Sequence, residues 1–144
     1  MRKSEANYNM IDWWKKVVFE NYANFSGRAR RSEYWYFTLG QVCLWLLFYA
    51  VLLFGVTGED ETTVMITMSV FGLLLLATLL PTLAVSVRRL HDLGKSGGWY
   101  FLIFVPFGSI VLLVWFFTEG ERFPNKYGDD PKNIDGPMFD FERQ

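Results

Sequence analysis

The 144-residue sequence has one cysteine and one histidine. The single thiol, Cys43, can form no internal disulfide and has no partners for a thiolate metal site. Inside an apolar run it reads as a small packed residue. The single imidazole, His91, has one adjacent carboxylate, Asp92, which is too little for a metal centre or a nucleophile–base pair. The formal net charge of −1 excludes a global field that would draw nucleic acid. The most informative scarcity is local. No Asp, Glu, Lys or Arg occurs in residues 34–58, 62–87 or 96–118, windows of 25, 26 and 23 residues. All 14 Lys and Arg and all 15 Asp and Glu crowd into the other 70 positions. The helices of a soluble domain each need a polar face, whereas charge-free apolar runs of about 18 or more residues are the transmembrane signal. Proton- and ion-coupled carriers usually bury a charged side chain within a span. Here the most polar intramembrane residue is Gln41, which argues against coupled transport but not against a passive oligomeric pore.

What is present predicts an all-α integral membrane protein made of one domain, residues 1–144. Residues 10–25 alternate with helical spacing: Ile11, Trp14, Val18, Tyr22 and Phe25 on one side, Asp12, Lys15, Lys16, Glu20 and Asn24 on the other. That two-faced stretch reads as an interfacial helix with Trp13 and Trp14 in the headgroup layer. Ser26 is a candidate helix N-cap. Residues 34–56 form a first span that opens on the aromatic belt Tyr34-Trp35-Tyr36-Phe37. The first window starts some thirty residues in and is too long for the apolar core of a cleavable signal, so it reads as an uncleaved anchor. Residues 63–87 form a second span. Pro81 deprives the Ala77 carbonyl of its backbone partner and should kink the helix. Thr78, Thr82 and Ser86 recur every four residues as a helix-packing stripe that could satisfy the groups Pro81 frees. Residues 98–118 form a third apolar segment broken at Pro106-Phe107-Gly108. It either crosses with a kink, the favoured expectation, or re-enters as a hairpin. Residues 119–144 form a polar tail.

Basic residues orient the chain. Seven Lys and Arg precede the first span, none lies in the Glu59–Glu61 loop, three follow the second span and four lie in the tail. The positive-inside rule puts the N-terminus and the Arg88–Lys95 segment in the cytoplasm and the acidic loop outside. Gly94-Lys95-Ser96 imitates the end of a phosphate-binding loop, but position 89 is Arg and the preceding segment is a membrane helix, so that reading is rejected.

Three motifs stand out. They are Phe25-Ser26-Gly27-Arg28-Ala29-Arg30-Arg31-Ser32-Glu33-Tyr34-Trp35, Val87-Arg88-Arg89-Leu90-His91-Asp92-Leu93-Gly94-Lys95-Ser96-Gly97, and Asn125-Lys126-Tyr127-Gly128-Asp129-Asp130-Pro131 downstream of Val105-Pro106-Phe107-Gly108. In this order the chain resembles the YhaH-like family of small bacterial inner-membrane proteins, domain of unknown function 805, over about residues 13–132. The resemblance implies a multi-pass plasma-membrane protein with no established activity, cofactor or substrate. It also favours the fold-back of the third segment, since that would bring the tail motif to the cytoplasmic side with the other two.

The resulting expectation is a non-enzymatic inner-membrane protein with no cofactor or metal. Arg28, Arg30, Arg31, Arg88, Arg89, His91 and Lys95 would form one exposed cytoplasmic surface that binds anionic lipid headgroups or a partner protein. Six of these are cations with only Glu33 and Asp92 beside them, an imbalance that headgroups or the acidic segment 119–130 folded back could fill. A homo-oligomer or a membrane partner protein fits the same surface. An oligomeric pore or small-molecule exporter is the alternative.

Overall fold

The computed structural model describes residues 5–55 and 60–132. A 3-10 turn (Glu5–Asn7) precedes helix α1 (Met10–Lys15), which continues as a π-helical turn (Lys16–Glu20). Helix α2 runs Arg31–Gly55 and helix α3 runs Glu61–Asp92. A 3-10 helix (Gly97–Phe104) and helix α4 (Gly108–Phe117) complete the described elements. The described residues form two compact units, one from residues 5–24 and 35–84, the other from residues 25–34 and 85–132.

In the first unit, Asn9 and Asp12 build a capping box. The Asn9 side chain accepts from the Asp12 amide at 2.9 Å, and the Asp12 carboxylate accepts from the Asn9 amide at 3.2 Å. This polar start explains why α1 begins at Met10. The helix is shorter than the expected 10–25 element. It also packs on protein: Trp13 is 2% exposed, with Tyr8 edge-on at 5.1 Å and Lys16 over its ring at 5.2 Å. The Trp13 ring is therefore covered by protein and does not itself face lipid. The helix expected to start after Ser26 starts at Arg31 instead.

The apolar parts of α2 and α3 also belong to the first unit. Their link is short, and Phe48 stacks on Phe71 at 4.7 Å, so these segments are antiparallel neighbours. Twenty-five and 32 residues correspond to roughly 37 and 48 Å of helix, enough to cross a hydrocarbon core of about 30 Å. Their apolar side chains are largely uncovered by protein: Leu46, Leu47, Leu73 and Leu76 are 62–67% exposed. That is the pattern of a lipid-facing surface, not of a soluble core helix. The expected spans 34–56 and 63–87 fall on these two helices, which start earlier, and α3 runs on to Asp92. Positions 56–59, including Glu59 of the acidic loop, and 133–144 of the tail lie outside the described residues.

Helix α3 runs unbroken through Pro81, which is fully buried. The hydroxyls of Thr78 and Thr82 bond to their own helix, at Leu74 O (2.9 Å) and Thr78 O (2.6 Å). The carbonyl that Pro81 frees, Ala77 O, instead accepts a 2.6 Å hydrogen bond from the Tyr22 hydroxyl. Thr78 and Ser86 are buried and Thr82 is half-buried.

In the second unit the third apolar window is a helical hairpin. Val105 N donates to Leu102 O and Gly108 N to Val105 O, both at 2.9 Å. Phe107 takes a left-handed φ of 63° at the tip. A Cβ at Gly108 would collide with the Leu102 carbonyl, so glycine permits the close return. Trp99, near the start of the window, meets Trp115, near its end, edge-on at 5.8 Å. A single kinked crossing would hold those rings far apart. Each arm is only about 15 Å long, half a hydrocarbon core. Tyr34 packs on Phe116 at 4.5 Å, and Leu112 and Phe116 of α4 are buried.

Candidate functional site

All three sequence motifs come together in the second unit. Helix α3 continues past its charge-free window by one turn and a half, carrying Arg88, Arg89, His91 and Asp92. Gly94 N bonds to His91 O at 3.0 Å and Lys95 N to Leu90 O at 3.0 Å, closing the helix end with Gly94 at φ 68°. Residues 27–30 run alongside, with Ala29 N donating to Arg88 O at 3.0 Å.

Asp92 is the hub. It is 3% exposed, and its carboxylate takes Arg28 Nε at 3.0 Å and the Arg89 Nη1 donor. Arg28 then fans out to the returning tail, donating to the carbonyls of Phe123 (2.8 Å), Gly128 (3.3 Å) and Glu121. Arg89 reaches the carbonyls of Ala29 (3.4 Å) and Thr118. Glu121 N donates to Asp92 O at 2.9 Å. Any Cβ at residue 120 would strike the Asp92 carboxylate, so Gly120 lets the tail backbone lie directly on the hub.

Two further pairings flank the hub. Arg88 Nη1 donates to Glu33 Oε1 at 2.6 Å, and both side chains are at most 4% exposed. His91 Nδ1 donates to Gly27 O at 3.1 Å, while its ring stacks on Tyr127 at 3.7 Å and 4°. Asn125 bridges His91 O at 3.0 Å and Glu121 Oε2 at 2.7 Å.

The expected cationic face is therefore divided. Arg28, Arg88 and Arg89 are 8%, 3% and 0% exposed. They are not surface groups; burial forces them onto carboxylates and carbonyls, because an unpaired buried charge is costly. Arg30, Arg31 and Lys95 remain partly exposed. Lys95 lies over the Trp115 ring at 4.3 Å. Arg31 bonds Glu119 at 2.5 Å, and Lys132 reaches the same carboxylate. Partial burial, then the nearby Arg31 and Arg30 groups, push the Lys132 ammonium below its usual value. This places Lys132 in the same basic cluster, a membership the sequence reading missed. It also missed the Glu33–Arg88 pair and the roles of Tyr127 and Asn125. The tail motif was the signal; its partner was invisible without the fold.

An α-helical membrane protein with two long apolar helices and an ion-paired polar unit is the class this architecture defines. The chain belongs to the family described as protein of unknown function (DUF805), whose model matches residues 22–129. It is 47% identical over 120 residues to inner membrane protein YhaI of Escherichia coli (strain K12), covering 83% of this chain and 95% of that one. It is 38% identical over 124 residues to inner membrane protein YhaH of the same strain, covering 85% and 98%. The uncharacterized protein YiiR of that strain is 29% identical over 137 residues, covering 77% and 88%. No solved structure matches. The bacterial inner membrane is thus the setting of this chain.

Proposed function

We propose that the protein is a non-enzymatic, multi-pass inner-membrane protein whose second unit lies at the cytoplasmic leaflet and binds anionic lipid headgroups. Two helices span the bilayer, with the N-terminus cytoplasmic by the positive-inside rule. The hairpin of residues 97–117 re-enters from the cytoplasmic side, so the tail stays with the basic motifs. The observation that carries this reading is the partly exposed pair Arg31 and Lys132 on one carboxylate, Glu119, with Arg30 near enough to join burial and Arg31 in lowering the pKa of the Lys132 ammonium. Two cations, Arg31 and Lys132, hold the one Glu119 carboxylate at the partly exposed edge of the second unit. Basic residues at an anionic leaflet contribute about 1 kcal/mol each, or roughly fivefold in affinity per residue.

The test is native mass spectrometry from nanodiscs of mixed anionic and zwitterionic lipid. The wild type should carry an excess of anionic lipid that falls with salt. The Arg30→Gln/Arg31→Gln/Lys132→Gln variant should lose most of it. Equal enrichment in the two proteins would overturn the proposal, and enrichment of a co-purifying acidic protein in its place would reassign the surface to a protein partner.

A further inference from the structure

Arg28 and Arg88 are both buried, yet their surroundings differ. Arg28 donates from all three guanidinium nitrogens, to one carboxylate and three carbonyls. Arg88 donates from Nη1 alone, to Glu33. Its Nε and Nη2 are buried and have no acceptor. Those two nitrogens form the side-on edge of the guanidinium, the fork that holds an oxyanion with two parallel hydrogen bonds. Two more buried donors of the same unit also lack acceptors: Arg89 Nε and the hydroxyl of Ser32, the residue before Glu33. Ser32 lies in the first turn of α2, where backbone N–H groups have no partner within the helix and the dipole favours an anion.

Charge points the same way. Among the described residues, the buried formal charges are those of Arg28, Arg88 and Arg89 against Glu33 and Asp92. Asp92 is shared by Arg28 and Arg89 and Arg88 pairs with Glu33, so the buried guanidiniums outnumber the buried carboxylates by one, with the half-buried Asp130 acting on Asp92 from nearby. Water could fill the orphan hydrogen bonds but not that deficit. A monoanion fills both. A phosphodiester carries one negative charge and two unesterified oxygens, which match a two-donor edge. Inorganic phosphate has the same oxygens but more charge at neutral pH.

We infer that the free Nε/Nη2 edge of Arg88, with Ser32 beside Glu33, is a binding site for one phosphate-type oxyanion, supplied by the phosphodiester of a membrane lipid. This deepens the headgroup reading and rests on its placement of the second unit at the leaflet. It differs in being a single buried site, distinct from the exposed Arg30, Arg31 and Lys132 cluster.

The experiment uses the full chain purified in mild detergent, then washed with lipid-free detergent at high salt. Native mass spectrometry should find one phospholipid held per wild-type chain. Arg88→Lys keeps the charge and the pairing with Glu33 but lacks the side-on edge. Its retention should fall roughly tenfold or more, the weight of a bidentate charge-assisted pair. Arg30→Gln/Arg31→Gln/Lys132→Gln should keep this lipid even as the salt-sensitive enrichment disappears, so the two readings fail separately. A second arm adds phosphatidylglycerol or inorganic phosphate to stripped wild type and follows Tm. A rise with the lipid supports the lipid source; a rise with inorganic phosphate alone keeps the oxyanion edge and overturns the lipid source. Should Arg88→Lys not fold, nitrogen-15 to phosphorus-31 dipolar dephasing on arginine-labelled wild type in bilayers reads the contact directly. Equal retention in wild type and Arg88→Lys would overturn the inference, as would a stripped wild type that responds to neither compound or an absence of dephasing.

Discussion

At the scale of single residues, the second unit separates buried ionic contacts from exposed ones. Asp92 serves two arginines at once, with its own side chain 5% exposed. Asp92→Asn would leave Arg28 and Arg89 sharing a neutral amide, and breaking a buried ionic network of this kind costs about 3–5 kcal/mol. Glu119, 41% exposed in its contact with Arg31, should matter little, with Glu119→Gln costing under about 1 kcal/mol. Thermal unfolding of the two variants in one detergent checks this. The Asp92 variant should melt far below the wild type or fail to accumulate, and the Glu119 variant should melt near it. Equal effects would mean that the hub carries no special stability. Residue chemistry alone could not separate these carboxylates. Both lie near arginines in the sequence, and only burial distinguishes them.

At the scale of elements, α3 shows how one helix accommodates a proline. Thr78, Pro81, Thr82 and Ser86 were legible as a special stripe, since the four-residue spacing of hydroxyls around a proline has a direct physical meaning. The partner of the freed carbonyl was not legible. Tyr22 lies 55 positions away, in a segment whose sequence shows only an amphipathic pattern. Tyr22→Phe should destabilise the protein by about 1–2 kcal/mol by orphaning Ala77 O. In a Pro81→Ala background, residue 81 regains an N–H for that carbonyl, and the same Tyr22→Phe change should cost much less. Tm values for the four proteins of this double-mutant cycle measure the coupling. Additive effects would show that the tyrosine hydroxyl does not serve the proline's carbonyl. The other elements follow the same division. The long helices were readable because some 20 charge-free apolar residues have one stable form in a bilayer. The end of α1 and the start of α2 shifted because caps and turns depend on which neighbour satisfies the terminal groups.

For the whole molecule, the decisive question is on which side the tail lies. In a Cys43→Ala background, a cysteine at Asp60 should react with an impermeant thiol reagent in intact cells. Cysteines at Ser96 and Arg122, which flank the hairpin, should react only after permeabilisation. Labelling of Arg122→Cys from outside would mean that the third window crosses the bilayer, and it would remove the tail from the leaflet proposed for the second unit.

The sequence by itself determined the solvent of this protein, because segregation of 29 charges from 74 charge-free residues is a one-dimensional property that no packing can reverse. It also determined the two long helices, the break at Pro106-Phe107-Gly108 and the three motifs that matter. Tertiary structure decided what the motifs do to one another. An arginine next to a span looks the same in sequence whether it faces headgroups or a buried carboxylate. Its burial depends on the tail returning over the end of α3, which depends in turn on the hairpin closing Trp99 onto Trp115 and on Gly120 meeting Asp92. These contacts join positions far apart in the chain, so only the folded molecule could show that Arg28, Arg88 and Arg89 lie inside and that two buried donors of Arg88 have no protein acceptor.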